Sequence, residues 1–183
     1  VGVDCGEIED SIAFSIRSMN SPSTKWLTFE HVRVFGAGVC VKWGSNYAEE
    51  QVDAITWREF VFSSFDIGFL INAANAADYS LISRGSMTEC KGTAFSLPNV
   101  GFAEISRVAA GMISPDCVMF DISGSSPDSL VIEGSQAEPT GDFMHLSGAN
   151  DQRVVTLRNN VINTPCLIDG ILLANFENNT MTS

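Results

Sequence analysis

Apolar and polar residues alternate along this chain in short bursts, and each burst ends in small or turn-forming residues. "IAFSIRS" (12–18), "VCVKWGS" (39–45), "IGFLINA" (67–73), "TAFSLPN" (93–99), "VMFDISG" (118–124), "FMHLSGA" (143–149) and "CLIDG" (166–170) repeat one theme. Alternation with a period of two is the mark of a strand, and recurrence at a fixed spacing is the mark of a stacked architecture. Aligned on their apolar triplets, the bursts read Ile12-Phe14-Ile16, Val39-Val41-Trp43, Ile67-Phe69-Ile71, Thr93-Phe95-Leu97, Val118-Phe120-Ile122 and Asp142-Met144-Leu146, then Cys166 and Ile168. The central residues step by 27, 28, 26, 25, 24 and 22, a mean near 25.

A turn column follows: Ser18, Ser45, Ala73, Asn99, Gly124, Gly148 and Gly170, the small, Gly and Asn residues that tight corners need. A second strand family lies twelve residues upstream of Val41, Phe69, Phe120 and Met144, at Phe29, Trp57, Val108 and Ile132. No sustained helical stripe competes, apart from a weak one in "YAEEQVDAITWREF". Parallel copies of strands this short cannot be joined by hairpins, whereas a coil of one period returns each strand to its own copy. The predicted fold is all-β, a right-handed parallel β-helix of about seven coils of roughly 25 residues, one domain over 1–183. Phe69, Phe95 and Phe120 are expected to stack in one interior column. Neither end shows an amphipathic cap, so the expectation is a segment of a longer chain, or ends covered by partner subunits.

With this ladder and the phrases "TLRNNVIN" and "FENNTM", the whole chain resembles the single-stranded right-handed β-helix group, which includes pectate-lyase-like enzymes and bacteriophage tailspike domains. The motifs that carry the resemblance speak for fold and not for function. The resemblance implies either a polysaccharide-cleaving enzyme or a glycan-engaging spike.

The enzymes of the group carry a carboxylate cluster with Ca²⁺ and a basic residue, or N-T-D, D-D, G-H-G and R-I-K motifs, and none of these occurs here. "NTP" at Asn163-Thr164-Pro165 lacks its Asp. There is no G-x-S-x-G elbow and no EF-hand-like loop. No cofactor and no metal is therefore expected.

Composition narrows the partners. The net charge is −12, and the ten Lys and Arg are scattered along the sequence, which argues against a nucleic-acid partner. No apolar run approaches the ~20 residues of a membrane helix, so no membrane insertion is expected. Apolar residues make up 45% and charged residues 17%, a globular balance. The five cysteines, Cys5, Cys40, Cys90, Cys117 and Cys166, form no C-x-x-C pair and read as free thilols of a chain that folds in a reducing compartment.

Candidate chemistry then falls on outward positions. One outward column reads Ala13, Cys40, Gly68, Ala94, Met119, Phe143, Pro165 and is almost wholly small or apolar, which predicts a contact with a sister subunit, a homotrimer in the spike reading, or with another segment of the same chain. The other reads Ser15, Lys42, Leu70, Ser96, Asp121, His145, Leu167 and places Asp121 beside His145, an acid/base pair in principle and otherwise a surface ion pair. On the earlier strand, Glu30 meets Arg58 and His31 meets Glu59 under an offset of 28. The carboxylates Glu30 and Glu59 are weak catalytic candidates beside the simpler reading of a charge ladder. Glu133 and Glu138 form a further carboxylate pair. Trp43 and Trp57 fall on inward positions, whereas Trp26 and Tyr47 sit at corners and suit a stacked sugar ring.

The catalytic candidates lie on different strands several coils apart and cannot act on one bond. The expected function is a structural, adhesive domain of a larger surface assembly, on a virion or an extracellular surface, that engages cell-surface polysaccharide. The alternative is a polysaccharide lyase or glycoside hydrolase of the same fold.

Overall fold

The computed structural model describes residues 1–16, 24–44, 52–72, 80–123, 129–138, 140–147, 154–169 and 173–181. Among them there is no helix; eighteen strands, almost all in one continuous hydrogen-bonded system of parallel pairs, wind into a β-solenoid. Each turn has three faces. The first holds Thr28–Glu30, Thr56–Arg58, Ser129–Glu133, Val154–Arg158 and Leu173–Glu177, with 80–83 and 102–106 between them. The second holds the shorter pieces, among them Gln136–Ala137, Val161–Ile162 and Thr180–Met181. The third carries the triplets. Long strands such as Ser80–Asn99 bend through all three faces.

The triplet register is the one the sequence predicts. Phe14 pairs with Val41, Val41 with Phe69, Phe69 with Phe95, Phe95 with Phe120, Phe120 with Met144 and Met144 with Cys166. The expected aromatic column is present: Phe69 and Phe95 stack at 5.3 Å with their planes 2° apart, and Phe95 and Phe120 at 5.1 Å and 16°. Trp57 lies on Phe29 at 4.3 Å and 11°, and Trp43 and Trp57 are both buried.

Three expectations need correction. The solenoid makes about five turns rather than seven. Four turns (56–71, 80–97, 102–122 and 129–146) have paired neighbours on both sides, and a fifth, 28–43, has an outer neighbour only from Arg33 onward among the described residues; the outermost rungs leave Ile8 and Ile12 at one end and Leu167, Ile168 and Phe176 at the other partly exposed. The first-face column runs Phe29, Trp57, Ile82, Ile105, Ile132, Leu157, Phe176; Val108 is not in it but pairs with Gly85 beyond the corner. A fixed offset of twelve fails there because corner lengths vary from turn to turn.

The third correction concerns the apolar column Ala13, Cys40, Gly68, Ala94, Met119, Phe143, Pro165. Cys40, Ala94, Met119 and Phe143 are fully buried. The strand bends just before the middle of each triplet, so Cys40 and Val41 both point inward while Val39 is left half-buried. Strict alternation is broken at that bend, and from Cys40 to Phe143 the strip is core, not a contact surface; of its two ends Ala13 is half-buried and Pro165 exposed. Gly68 shows how tight the bend is: a Cβ there would lie 2.5 Å from the Ala94 carbonyl oxygen.

The corner after the first face is built from one backbone conformation. His31, Glu59, Arg84, Arg107, Gly134, Asn159 and Asn178 occupy it in successive rungs, with φ between 52° and 59°. This left-handed region suits Gly and Asn and disfavours other residues. The residue after each of them turns inward. In the last rungs it is Ser135, Asn160 and Asn179, which form a hydrogen-bonded ladder. The "RNN" and "ENN" phrases are thus corner motifs. Most of the predicted turn column lies outside the described residues.

Candidate functional site

The sequence candidates separate into two regions. On the first face, Glu30 and Arg58 pair across adjacent rungs at 3.4 Å. Glu59 takes two partners along the corner, His31 at 3.0 Å and Arg84 at 3.2 Å. Both carboxylates are held by cations on a solvated face, as the charge-ladder reading expects, and exposed pairs of this kind contribute about 0–1 kcal/mol each. On the third face, Asp121 and His145 are register partners on adjacent rungs, but the imidazole Nε2 lies 2.6 Å from Oδ2 of Asp142, three residues back on its own strand. The bend that breaks alternation leaves Asp142 half-buried on the outer side, within reach of His145. The region of Glu30 and Glu59 and the region of Asp121 and His145 share neither a face nor a neighbouring rung.

Trp26 is 83% exposed. Tyr47 lies outside the described residues. Glu138 stands at the end of the second-face strand, away from the partners of Glu133. Among the described residues no group of three or more His, Cys, Asp or Glu is placed to hold a metal, and no helix is long and apolar enough to cross a membrane.

The face also carries a groove that sequence reasoning missed. The outward column beside the corner reads Glu30, Arg58, Ser83, Ser106, Glu133, Arg158, Glu177. Two serines interrupt a row of long charged side chains, and the missing bulk leaves a notch of about 180 Å³ lined by Leu81, Ser83, Arg84, Glu104, Ser106, Arg107 and Glu133. Leu81 and Glu104 also line a second depression of about 330 Å³, with Ser80, Phe102, Ala103 and Ser129. The two depressions adjoin at Leu81 and Glu104, and together this grooved surface has the half-exposed Phe102 ring on one side and the corner guanidiniums on the other. Two residues before the paired Thr28, Thr56, Leu81 and Glu104 is the column that holds Trp26, Ala54 and Phe102. The predicted platform Trp26 therefore stands on the edge of the face that carries Phe102, three rungs away, or about 14 Å at ~4.8 Å per rung.

Charge is ordered around the groove. Arg158 Nη2 donates to Glu133 Oε2 at 2.8 Å, and Asn159 Nδ2 donates to Oε1 at 3.1 Å. The Arg158 hydrogen bond, then that of Asn159, hold the Glu133 carboxyl below its ordinary range. Glu133 is thus kept ionised, an acceptor rather than an acid. Four of the ten basic residues, Arg58, Arg84, Arg107 and Arg158, line this one corner of an acidic chain. Their spacings of 26, 23 and 51 are close to one, one and two periods. That periodicity is the signal that could have found them; along the sequence they look dispersed.

No known protein family matches the chain, and no curated protein or solved structure matches it.

Proposed function

We propose that the chain is a structural, adhesive β-solenoid domain of a larger surface assembly, of the tailspike or fibre kind, and that it holds cell-surface glycan along its first face. One observation carries this reading: two adjoining depressions that share Leu81 and Glu104 set an exposed aromatic ring near serines, carboxylates and guanidiniums on one face. A saccharide needs that combination. Its apolar ring face lies on an aromatic side chain, and its hydroxyls donate to carboxylates and accept from Arg and Ser. Rungs repeated at ~4.8 Å extend the surface along the axis, which suits a polymer. Sister subunits or adjoining domains are the further partners in this reading.

The enzyme reading has one observation in its favour, the presence of Glu104 and Glu133 in one groove. The engagement of Glu133 by Arg158 and Asn159 counts against a general-acid role. Binding is tested with an array of bacterial polysaccharides: wild type is expected to bind a subset, and Phe102→Ala to lose at least tenfold. Reducing-end release or unsaturated-uronate absorbance that disappears in Glu104→Gln would establish the enzyme instead. Binding to no glycan would overturn the proposal.

A further inference from the structure

The corner cations differ in what they already hold. Arg58 is paired with Glu30, Arg84 with Glu59, and Arg158 with Glu133. Arg107 has no ion-pair or hydrogen-bond partner among the described residues, although it is exposed and lines the groove. Its place in the ladder explains why. On one side its column neighbour is Arg84, a like charge already engaged. On the other side it is Gly134, which has no side chain; a Cβ there would come 3.6 Å from Arg107 Cγ. The nearest carboxylate in the next rung, Glu133, has one oxygen bonded by Arg158 and the other by Asn159.

We infer that Arg107 is the anion contact of the groove, and that the glycan it takes is acidic, with a carboxylate-bearing sugar at Arg107 and an uncharged sugar against Phe102. This rests on the glycan reading of the same groove. A guanidinium offers a planar fork of donors that matches a carboxylate bidentately. Arg84 one rung away adds a second cation to a notch that Glu104 and Glu133 also line; Arg84 is engaged by Glu59 and Glu133 by Arg158, which leaves Arg107 as the lining cation open to an anion. The opposite end has another chemistry. There Phe102 and Ala103 present apolar surface beside Leu81, no cation lines the depression, and Glu104, which it shares with the notch, accepts sugar hydroxyls and repels a second anion. The groove therefore selects alternation, an acidic sugar next to a neutral one, over a uniformly charged polymer.

The variant that tests this cannot fail by unfolding for backbone reasons. Arg107 has φ +55°, and Arg107→Gly removes the side chain while suiting the backbone. Hyaluronan oligosaccharides serve as the alternating probe, oligogalacturonate as the uniformly acidic one and dextran as the neutral one, measured by biolayer interferometry at 50 and 300 mM salt. Hyaluronan is expected to bind most tightly, to weaken at least tenfold in Arg107→Gly and at high salt, and to weaken less in Arg107→Lys. Lys42→Gln, a cation on the third face, should leave binding unchanged. Dextran binding as tight as hyaluronan, or full hyaluronan affinity in Arg107→Gly, would overturn the inference and leave the glycan reading standing. Oligogalacturonate binding as tight as hyaluronan would overturn the alternation. Failure of all three probes, together with the whole polysaccharide array, would overturn the glycan reading itself.

Discussion

Replacing Asn160 with Ala should be the most damaging polar substitution in the chain. Asn160 is 1% exposed. Its Oδ1 accepts the Ser135 amide at 2.9 Å, and its Nδ2 donates to the Ile132 carbonyl at 2.9 Å and to Asn179 Oδ1 at 3.1 Å. The side chain thus ties its own rung to the one before it and to the one after. Alanine leaves the Ser135 N–H and the Ile132 C=O without these partners, in a place where little water reaches. An orphaned buried group costs about 1–3 kcal/mol, so two give about 2–4 kcal/mol after some relaxation. Asn160→Asp should be worse at neutral pH, because it keeps the acceptor but sets a charge against two oxygens. Such a carboxyl has a folded pKa raised above its unfolded value. The variant should therefore be most stable below the ordinary carboxylate range and lose stability as pH rises through the raised value. Urea denaturation followed by circular dichroism gives the global figure, and hydrogen exchange at the Ser135 amide gives the local one. The exposed neighbour Asn159→Gly is the control and should cost less than about 1 kcal/mol, since its φ of +56° suits glycine. If Asn160→Ala costs less than about 1 kcal/mol and leaves Ser135 exchange unchanged, the ladder does not hold the corner and the reasoning fails.

Three further outcomes follow from the same geometry. Gly85→Ala would place a Cβ 2.0 Å from Phe60 Cζ, in a ring wedged against Phe62 at 4.9 Å and Phe69 at 5.3 Å; a loss of about 3 kcal/mol is expected in denaturation, and Phe60→Leu should recover part of it. Burial pushes the Cys90 thiol up to about 12 and the Cys166 thiol up to about 11, so at pH 8 both should react with Ellman's reagent only slowly until the chain is unfolded; rapid native labelling of Cys90 would contradict its burial. The depressed Glu133 carboxyl contributes stability that is present above the ordinary carboxylate range and is lost as pH falls through its lowered value; Arg158→Gln should move its NMR titration back up, and no change would show that the hydrogen bond does not set it.

The third face was legible because its inward residues are large and strictly placed. Phe69, Phe95 and Phe120 repeat within two residues of one period, and no other pairing buries them together. The second face was not legible, because its interior is small or mixed: Val34, Phe62, Met87, Ala110, Ala137 and Ile162 share a column but no common shape or fixed spacing. Period-two counting also misread Cys40, Ala94, Met119 and Phe143, since a bend that turns two successive side chains inward leaves no trace in hydropathy. In the same way the groove was hidden in two serines. Ser83 and Ser106 become informative only when the register sets them between Arg58 and Glu133.

The corner column explains why the notch on the first face is flanked by long charged side chains. A left-handed residue points its side chain away from the rung, beside the first face, and does so in every turn. Gly134, Asn159 and Asn178 fill the conformation at little cost, whereas His31, Glu59, Arg84 and Arg107 each carry a penalty of about 1 kcal/mol. Other strained positions, Ala54 and Ser64, show that strain alone marks no function. What distinguishes the corner is that its costly residues are long, charged and ordered. The run His31, Glu59, Arg84 closes on itself through a His31–Glu59 contact at 3.0 Å and an Arg84–Glu59 ion pair at 3.2 Å, and the next residue, Arg107, is left over where the column changes to glycine. A column selected for stability alone would continue the alternation of charge or pass to Gly and Asn one rung earlier. Arg107 does neither, and its guanidinium stands over the notch that two short serines open.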